Sequence, residues 1–169
     1  AIILGKTTLT EGAYADHHPK VVPPINPWGQ AHWTGTSSSG SGVAVAAGLI
    51  WGALGTDTGG SIRLPSSCCG VTGIKPTWGR VSRAGALALA PSLDHMGPMA
   101  RSVADAVTLL GVMAGADPRD PTAAQLPVPD YMAELAKPVR GLTIGIDRGL
   151  LKARADDQGL ASIVHVIEV

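Results

Sequence analysis

A long internal stretch with almost no charge is the feature that most constrains this chain. Between Val21 and Ile74 the only charged side chains are Asp57 and Arg63. Solvent-facing helices and loops normally carry Lys and Glu, so the stretch is predicted to be buried or to line a cavity. It is also rich in Gly and Ser, which permit close backbone packing and unusual dihedral angles. A buried core alone does not need that composition, whereas a functional site does.

The composition excludes several classes of protein. Charged residues are 15% of the 169 residues and hydrophobic residues 45%, which argues against a disordered linker. The net charge is zero and no basic stripe is visible, so nucleic acid is not expected as the main partner. No apolar run reaches the roughly 18 residues of a membrane span, so no membrane partner is expected either. The adjacent Cys68 and Cys69 fit neither a disulfide framework nor a zinc site, and are expected to be buried, free and inert.

Helical and strand patterns alternate along the chain, which predicts an α/β fold. The clearest helix runs from 103 to about 114, with Ser102 as N-cap, Asp105 near its positive end and Gly115 after its last turn. A buried helix is predicted over 43–49 and a strand or turn over 51–56. Short strands are predicted over 1–4 and 142–146, and a helix over 156–169.

Two clusters of glycine and serine carry the candidate chemistry. They read G-T-S-S-S-G-S-G over 35–42 and G-T-D-T-G-G-S-I-R over 55–63. A turn in which two glycines precede a serine can direct several backbone N–H groups to one point, as an oxyanion site requires. The serine is then a candidate nucleophile, provided that a neighbour accepts its proton. The alternative is that both clusters are only flexible loops, and their occurrence together in one charge-poor stretch disfavours it.

These clusters resemble the amidase signature family of serine hydrolases. Three further segments match in register: G-I-K-P-T-W-G-R-V-S over 73–82, S-L-D-H-M-G-P-M-A-R over 92–101 and A-G-A-D-P-R-D-P-T over 114–122. The resemblance covers about Ile3 to Gly145. It implies an α/β/α sandwich around a mixed β-sheet, with the serines on loops at one edge. Residues 1–169 would be a partial amidase signature domain, truncated at both ends.

The family's Ser–Ser–Lys triad can be placed by motif position. Its nucleophile falls on Ser61 and its bridging serine on Ser37, which in the family follows a cis peptide bond, here Thr36–Ser37. The resemblance also implies an oxyanion hole made of backbone N–H groups of the nucleophile turn: Thr58, Gly59, Gly60 and Ser61. No metal and no organic cofactor are implied.

The lysine of the triad has no counterpart in the sequence. In the family it belongs to a Val-Lys-Asp-like motif further upstream than this chain extends. Lys6 and Lys75 match segments whose role is structural. A serine without a base is a weak nucleophile, so these 169 residues alone are expected to hydrolyse amides very poorly.

Other polar residues receive structural interpretations. Asp57 and Arg63 flank the nucleophile and are expected to pair with each other or with the backbone, because an isolated charge in a buried stretch must be paired. His17 and His18 are expected on a surface loop, since the aspartates that a metal site would need are absent. His95 is expected to be a hydrogen-bonded scaffold residue and not a catalytic base.

The favoured function is hydrolysis of a carboxylic acid amide to the acid and ammonia or an amine through an acyl-enzyme. The expected partner is therefore a small-molecule amide substrate. One alternative is the amidase subunit of the glutamyl-tRNA amidotransferase, but those subunits carry Gln where this chain has Leu64, and tend to have Gln at His95. Another is a truncated, non-catalytic chain that keeps the fold. A cytoplasmic location is expected from the lack of disulfides and of a visible signal, and a homodimer of the full-length protein is left open.

Overall fold

The computed structural model describes residues 2–14, 16–143 and 145–168, and of Glu168 the backbone only. These residues divide into two compact units, Ala1–Ala136 and Lys137–Val169. The first unit holds the sheet, four helices and both glycine–serine clusters. The second unit holds two helices. None of the helices in these ranges combines the length and the apolar character needed for a membrane span.

The sheet of the first unit has three strands: β1 (Gly52–Asp57), β2 (Thr72–Gly73) and β3 (His95–Ala100). Their order is β1-β3-β2, and β3 is antiparallel to both neighbours. The register places Asp57 opposite His95. The C-terminal end of β1 and the N-terminal end of β3 therefore lie side by side, and the nucleophile turn follows directly after β1.

The helices of the first unit are α1 (Ser39–Ala46), α2 (Arg63–Cys69), α3 (Val103–Met113) and α4 (Tyr131–Leu135), and a 3₁₀ turn spans Glu11–Ala13. The second unit contains α5 (Arg148–Arg154) and α6 (Asp157–Glu168). Small residues let α1 pack closely: a Cβ on Gly42 would lie 3.3 Å from Cys69 Sγ in α2 and 3.4 Å from Met99 Cε in β3. The side chains with almost no exposure form the core between these elements: Val45, Ile62, Pro65, Cys69, Pro98 and Met99.

Several sequence predictions are confirmed. The strand β1, the helix α1 and the helix α6 lie where patterns predicted them, although α1 begins four residues earlier than expected. In α3 the side chain of Ser102 accepts the N–H of Asp105 at 3.1 Å, the predicted N-cap geometry. The α/β class is correct, and the sheet among the described residues is antiparallel throughout.

Two predicted strands were wrong for the residues described. Residues 2–4 carry no strand, and neither do 142, 143, 145 and 146, while Ala1 and Ile144 lie outside the described residues. Ile2, Ile3 and Leu142 are largely exposed. An apolar run forms a strand only beside a hydrogen-bonding partner, and no described strand pairs with either segment. The helices α2 and α5 were not predicted, because their short sequences show little amphipathic periodicity.

Candidate active site

The two glycine–serine clusters lie side by side in the folded chain. The N–H of Ser38, the N-cap residue of α1, donates to the carbonyl oxygen of Ser61 at 3.2 Å. Ser61 immediately precedes Ile62, the N-cap residue of α2. The peptide bond between Thr36 and Ser37 is cis, the configuration that the resemblance implies. Serines far apart in the sequence are thus brought together where two helices begin.

Ser37 and Ser61 line one cavity of about 650 Å³. Ser37 is only 3% exposed, and Ser61 is half-buried. Neither hydroxyl has a hydrogen-bond partner in the part of the chain that the structure describes. Both are therefore available to a molecule in the cavity, and the structure contains no direct hydrogen bond between them. No lysine is among the described residues that line this cavity.

The carboxylate of Asp57 organises the nucleophile turn. It is fully buried and accepts the N–H groups of Gly60 at 2.8 Å and Ile62 at 3.1 Å, on either side of Ser61. Arg63 adds its backbone N–H and a bidentate contact from its guanidinium, at 3.0 and 2.9 Å. Burial tends to raise the pKa of Asp57, but the hydrogen bonds from Arg63 and Ile62 outweigh it and hold that pKa below its usual value. The expected pairing of Asp57 with Arg63 and with the backbone is therefore present.

The same network narrows the set of N–H groups that can face a substrate. The N–H of Gly60 is directed at Asp57 Oδ1, so the expectation that it joins an oxyanion hole does not fit this geometry. One N–H cannot point at a buried carboxylate and into the cavity together. Within the described ranges, the N–H groups of Thr58, Gly59 and Ser61 have no acceptor. Thr58 and Ser61 also line the cavity.

A second carboxylate links the nucleophile turn to the opposite wall of the cavity. Asp94 Oδ1 accepts the hydroxyl of Thr58 at 2.5 Å, and its two oxygens accept the N–H groups of Leu89 and Ala90 at 2.9 to 3.0 Å. Partial burial tends to raise the pKa of Asp94, and these hydrogen bonds, with Arg83 nearby, leave it lowered overall. Asp94 was not predicted as a site residue, although it lies in a matched segment, because only the fold brings it next to Thr58.

His95 also lines the cavity but has both ring nitrogens engaged. Its Nδ1 lies 2.6 Å from the carbonyl oxygen of Leu93, and its Nε2 lies 3.1 Å from Lys75 Nζ. Since a carbonyl can only accept, Nδ1 carries the proton and Nε2 accepts from the Lys75 ammonium. This agrees with the interpretation of His95 as a hydrogen-bonded scaffold residue. Lys75 Nζ also contacts the carbonyl oxygen of Pro76, so its contacts are with the scaffold.

The segment that precedes the clusters holds them in place. Thr10, which is fully buried, donates its N–H to the carbonyl oxygen of Ser37 at 3.3 Å, and its hydroxyl lies 2.9 Å from that of Thr36. The hydroxyls of Thr7 and Ser41 are also 2.9 Å apart. Thr7 and Thr10 were not singled out in the sequence, because the residues that they contact lie in a distant segment of the chain.

His17 lies outside helices and strands, as expected for a loop, but it contacts the first glycine–serine cluster. The residue is half-buried, and its Nε2 lies 3.1 Å from the hydroxyl of the buried Ser39. Its neighbour His18 is likewise half-buried, and its Nδ1 accepts the N–H of Lys20. The contact with Ser39 was not predicted, because it joins two segments that are distant in the sequence.

The cysteines and the acidic side chains offer no metal site in the described ranges. Cys69 is fully buried, and burial together with the neighbouring Cys68 raises the pKa of its thiol to about 11. Cys68 is partly exposed, and burial raises its pKa as well. Both are free thiols that are held in the protonated form at neutral pH.

The chain is similar in sequence to known amidases and amidotransferase subunits. The Amidase family model matches residues 1–168. The chain is 58% identical over 147 residues to AmiD of Mycobacterium tuberculosis, covering 87% of this chain and 31% of that protein. It is 52% identical over 162 residues to a glutamyl-tRNA(Gln) amidotransferase subunit of Synechococcus sp., covering 95% of this chain and 32% of that protein.

Solved structures agree with the sequence matches. The native peptide amidase of Stenotrophomonas maltophilia superposes with a TM-score of 0.70 at 42% identity, over 79% of this chain and 30% of that one. The chain thus spans about a third of the length of the relatives it matches.

Proposed function

The chain belongs to the Amidase family, and from this premise we propose that it carries the serine machinery of an enzyme that hydrolyses a carboxylic acid amide. The observation that carries the proposal is that Ser61 and Ser37 line one cavity, with hydroxyls that have no hydrogen-bond partner among the described residues. The hydrogen bond from the N–H of Ser38 to the carbonyl oxygen of Ser61 supports the proposal, because it holds the two serine clusters next to each other.

In the proposed reaction Ser61 Oγ attacks the carbonyl carbon of the amide. Its proton moves to the Ser37 hydroxyl, which passes its own proton to a base, and the carbonyl electron pair moves to the oxygen. The free N–H groups of Ser61, Gly59 and Thr58 are suited to stabilise that oxyanion. Collapse of the tetrahedral intermediate breaks the C–N bond. The nitrogen takes back the proton from the base through Ser37 and leaves as ammonia or an amine. Water then adds to the acyl-serine, releasing the acid and restoring the Ser61 hydroxyl.

The base is proposed to be the lysine of the family's Val-Lys-Asp-like motif. Lys75 is engaged by His95, and Lys6 is not among the residues of the cavity wall, so neither is suited to receive the proton from Ser37. The coding sequence upstream of Ala1 tests this point directly. An open frame encoding such a lysine would supply the base, and a frame without it would remove the basis for turnover.

The decisive experiment uses the protein produced from its complete gene, with primary amides as substrates. Ser61→Ala should lower kcat by about a thousandfold or more. Ser67→Ala is the matched control, because Ser67 is exposed on α2, outside the cavity. Mass spectrometry after rapid acid quench should find the acyl group on the peptide that contains Ser61. Full activity of Ser61→Ala would contradict the proposal.

A second candidate is the amidase component of an amidotransferase, which the similarity to the Synechococcus protein favours. Leu64, next to Arg63, and His95 depart from the Gln that those proteins carry or tend to carry at these positions. Glutamine hydrolysis distinguishes the candidates: an amidotransferase component releases ammonia from glutamine, and the proposed hydrolase favours simpler amides.

A further inference from the structure

One wall of the cavity is formed by a loop whose cavity-lining residues are all apolar. We call residues 84–91 the cavity loop. Its residues that line the cavity are Ala84, Ala86, Leu87, Ala88, Leu89 and Pro91. Leu87 is completely exposed, and Leu89 is 55% exposed. Two exposed leucines facing one cavity leave apolar surface that a bound hydrocarbon group would remove from water.

Other walls of the cavity continue this apolar surface. Leu9, Leu54 and Met96 line it, and Leu9 and Leu54 are more than half exposed. The polar residues of the wall are the serines and threonines of the two clusters, together with Thr7, His95 and four charged side chains: Arg83, Asp94, Arg119 and Asp120. The volume of the cavity, about 650 Å³, is far larger than an amide group alone requires.

Of the charged side chains of the cavity wall, Asp94, Asp120 and Arg119 are engaged by neighbouring residues, whereas the buried Nε of Arg83 has no hydrogen-bond partner among the described residues. Asp94 accepts from Thr58 and from two backbone N–H groups. Asp120 accepts the N–H of Arg83 at 2.7 Å and contacts Thr122 as well. Arg119 is paired with Asp117. The cavity loop itself offers a charged acyl group no partner of opposite charge, and loss of hydration without such a partner is costly.

The cavity loop is held at its C-terminal end. Asp94 binds the N–H groups of Leu89 and Ala90. The carbonyl oxygen of Pro91 accepts the indole N–H of Trp78 at 3.2 Å and a guanidinium N–H of Arg83, whose guanidinium also lies over the Trp78 ring at 5.0 Å. Near the tip, the N–H of Ala86 donates to the carbonyl oxygen of Arg83 at 3.0 Å, and the side chain of Leu87 is fully exposed.

Asp94 connects this loop to the nucleophile turn. The carboxylate that binds Leu89 and Ala90 also accepts the hydroxyl of Thr58, three residues before Ser61. The distance between the apolar wall and the nucleophile is thereby set by one side chain. Movement of Asp94 would displace the wall relative to Ser61.

We propose that the cavity loop selects the acyl group of the substrate, and that the enzyme favours amides of aliphatic carboxylic acids whose hydrocarbon chain packs against Leu87 and Leu89. Asp94 is the positioning residue that fixes this wall relative to Ser61. The inference rests on the proposed amidase function and names the substrate class of that same cavity.

The test measures kcat/KM for acetamide, butanamide and hexanamide with the protein produced from its complete gene. These amides share ammonia as leaving group and differ only in chain length. Burial of each added methylene group should raise kcat/KM, by up to about fourfold. In Leu87→Ser the ratio of kcat/KM for hexanamide over acetamide should fall at least fivefold. Leu49→Ser is the matched control, because Leu49 is 73% exposed and lies outside the cavity wall, and it should keep the original ratio.

Asp94→Asn tests the positioning role. Asparagine cannot accept from Thr58 and both backbone N–H groups as a carboxylate does, so the loop should lose its fixed position. The expected result is a rise in KM for hexanamide that exceeds the rise for acetamide. A merely structural role would lower kcat/KM for both amides by the same factor.

The outcomes separate the two proposals. Ser61-dependent hydrolysis with no preference for longer chains, or a chain-length ratio unchanged in Leu87→Ser, would overturn the selectivity inference and leave the amidase function standing. Absence of hydrolysis for every amide in the series would overturn the amidase function and the inference with it.

Discussion

Asp57 Oδ1 accepts the N–H of Gly60 at 2.8 Å, so a buried carboxylate on the last residue of β1 holds the residue directly before the candidate nucleophile. The same carboxylate accepts the N–H of Ile62, directly after it. Ser61 is thus fixed from both sides by a group that does not itself line the cavity. The position of the nucleophile therefore depends on Asp57.

Asp57→Asn should destabilise the fold by about 2–4 kcal/mol. The loss comes mainly from buried backbone N–H groups that an amide cannot all satisfy. The contribution of Arg63 is reduced by solvent screening, because its side chain is 54% exposed. Urea unfolding followed by circular dichroism measures the change. Asp117→Asn is the control, since that residue pairs with an exposed Arg119, and its effect should be much smaller.

Arg63→Ala should destabilise less than Asp57→Asn, since the carboxylate keeps the N–H groups of Gly60, Ile62 and Arg63. Its effect on substrate preference should be smaller than its effect on stability. The measurements are the thermal unfolding midpoint and the ratio of kcat/KM for hexanamide over acetamide. Normal thermal stability together with altered specificity would show that Arg63 is not a structural residue.

The contribution of Asp57 should depend on pH in a defined direction. Its pKa is lowered in the folded protein, against about 3.9 in an unfolded chain, so the folded state binds the proton less readily. The stabilisation is present above the unfolded pKa and is lost as the pH falls below about 4 toward the folded pKa. The difference in unfolding free energy between the original protein and Asp57→Asn should therefore shrink between about pH 5 and about pH 2.5, measured by urea unfolding. A constant difference would contradict the assignment.

The two cysteines should react with a thiol reagent at very different rates. Cys69 is fully buried with a pKa of about 11, while Cys68 is partly exposed. At about pH 8 a thiol of that pKa is ionised far less than an ordinary one, so Cys69 should react on the order of 100-fold more slowly in the native than in the unfolded protein. Labelling of Cys68→Ser and Cys69→Ser with a chromogenic disulfide assigns each rate. Fast native labelling of Cys68→Ser would contradict the burial of Cys69.

Gly35→Ala should be strongly destabilising. Gly35 has φ of +75°, and a Cβ there would lie 2.5 Å from the backbone of Pro65 in α2. Gly85→Ala separates the two causes, because Gly85 has φ of +84° and nothing within 4 Å of its Cβ position. It should lose about 1 kcal/mol from the left-handed backbone alone, and Gly35→Ala about 3 kcal/mol or more. Equal losses in thermal or urea unfolding would show that the close approach to Pro65 is absent.

The local features that the sequence predicted correctly have local causes. Ser102 and Asp105 predicted the start of α3 because an N-cap is made by residues three positions apart. The burial predicted for the charge-poor stretch holds only in part: Ser39 and Asp57 are buried, whereas Trp28 and Trp51 are largely exposed. The predicted pairing of Asp57 with Arg63 is present, because an uncompensated charge is expensive to bury. The motif spacing identified the family, since each motif is contiguous in the chain, and it pointed to two serines that line one cavity.

Contacts between distant segments were decided only by the tertiary structure. The sequence does not encode in any local pattern that His17 packs on Ser39, that Thr10 holds Ser37, or that Asp94 joins Thr58 to the cavity loop. The engagement of the Gly60 N–H by Asp57 is of the same kind, because the direction of an N–H is set by dihedral angles and not by residue type. The sequence determined which side chains are available for chemistry, and chain packing determined which of them face one another, since hydrogen bonds depend on distances that only the folded backbone defines.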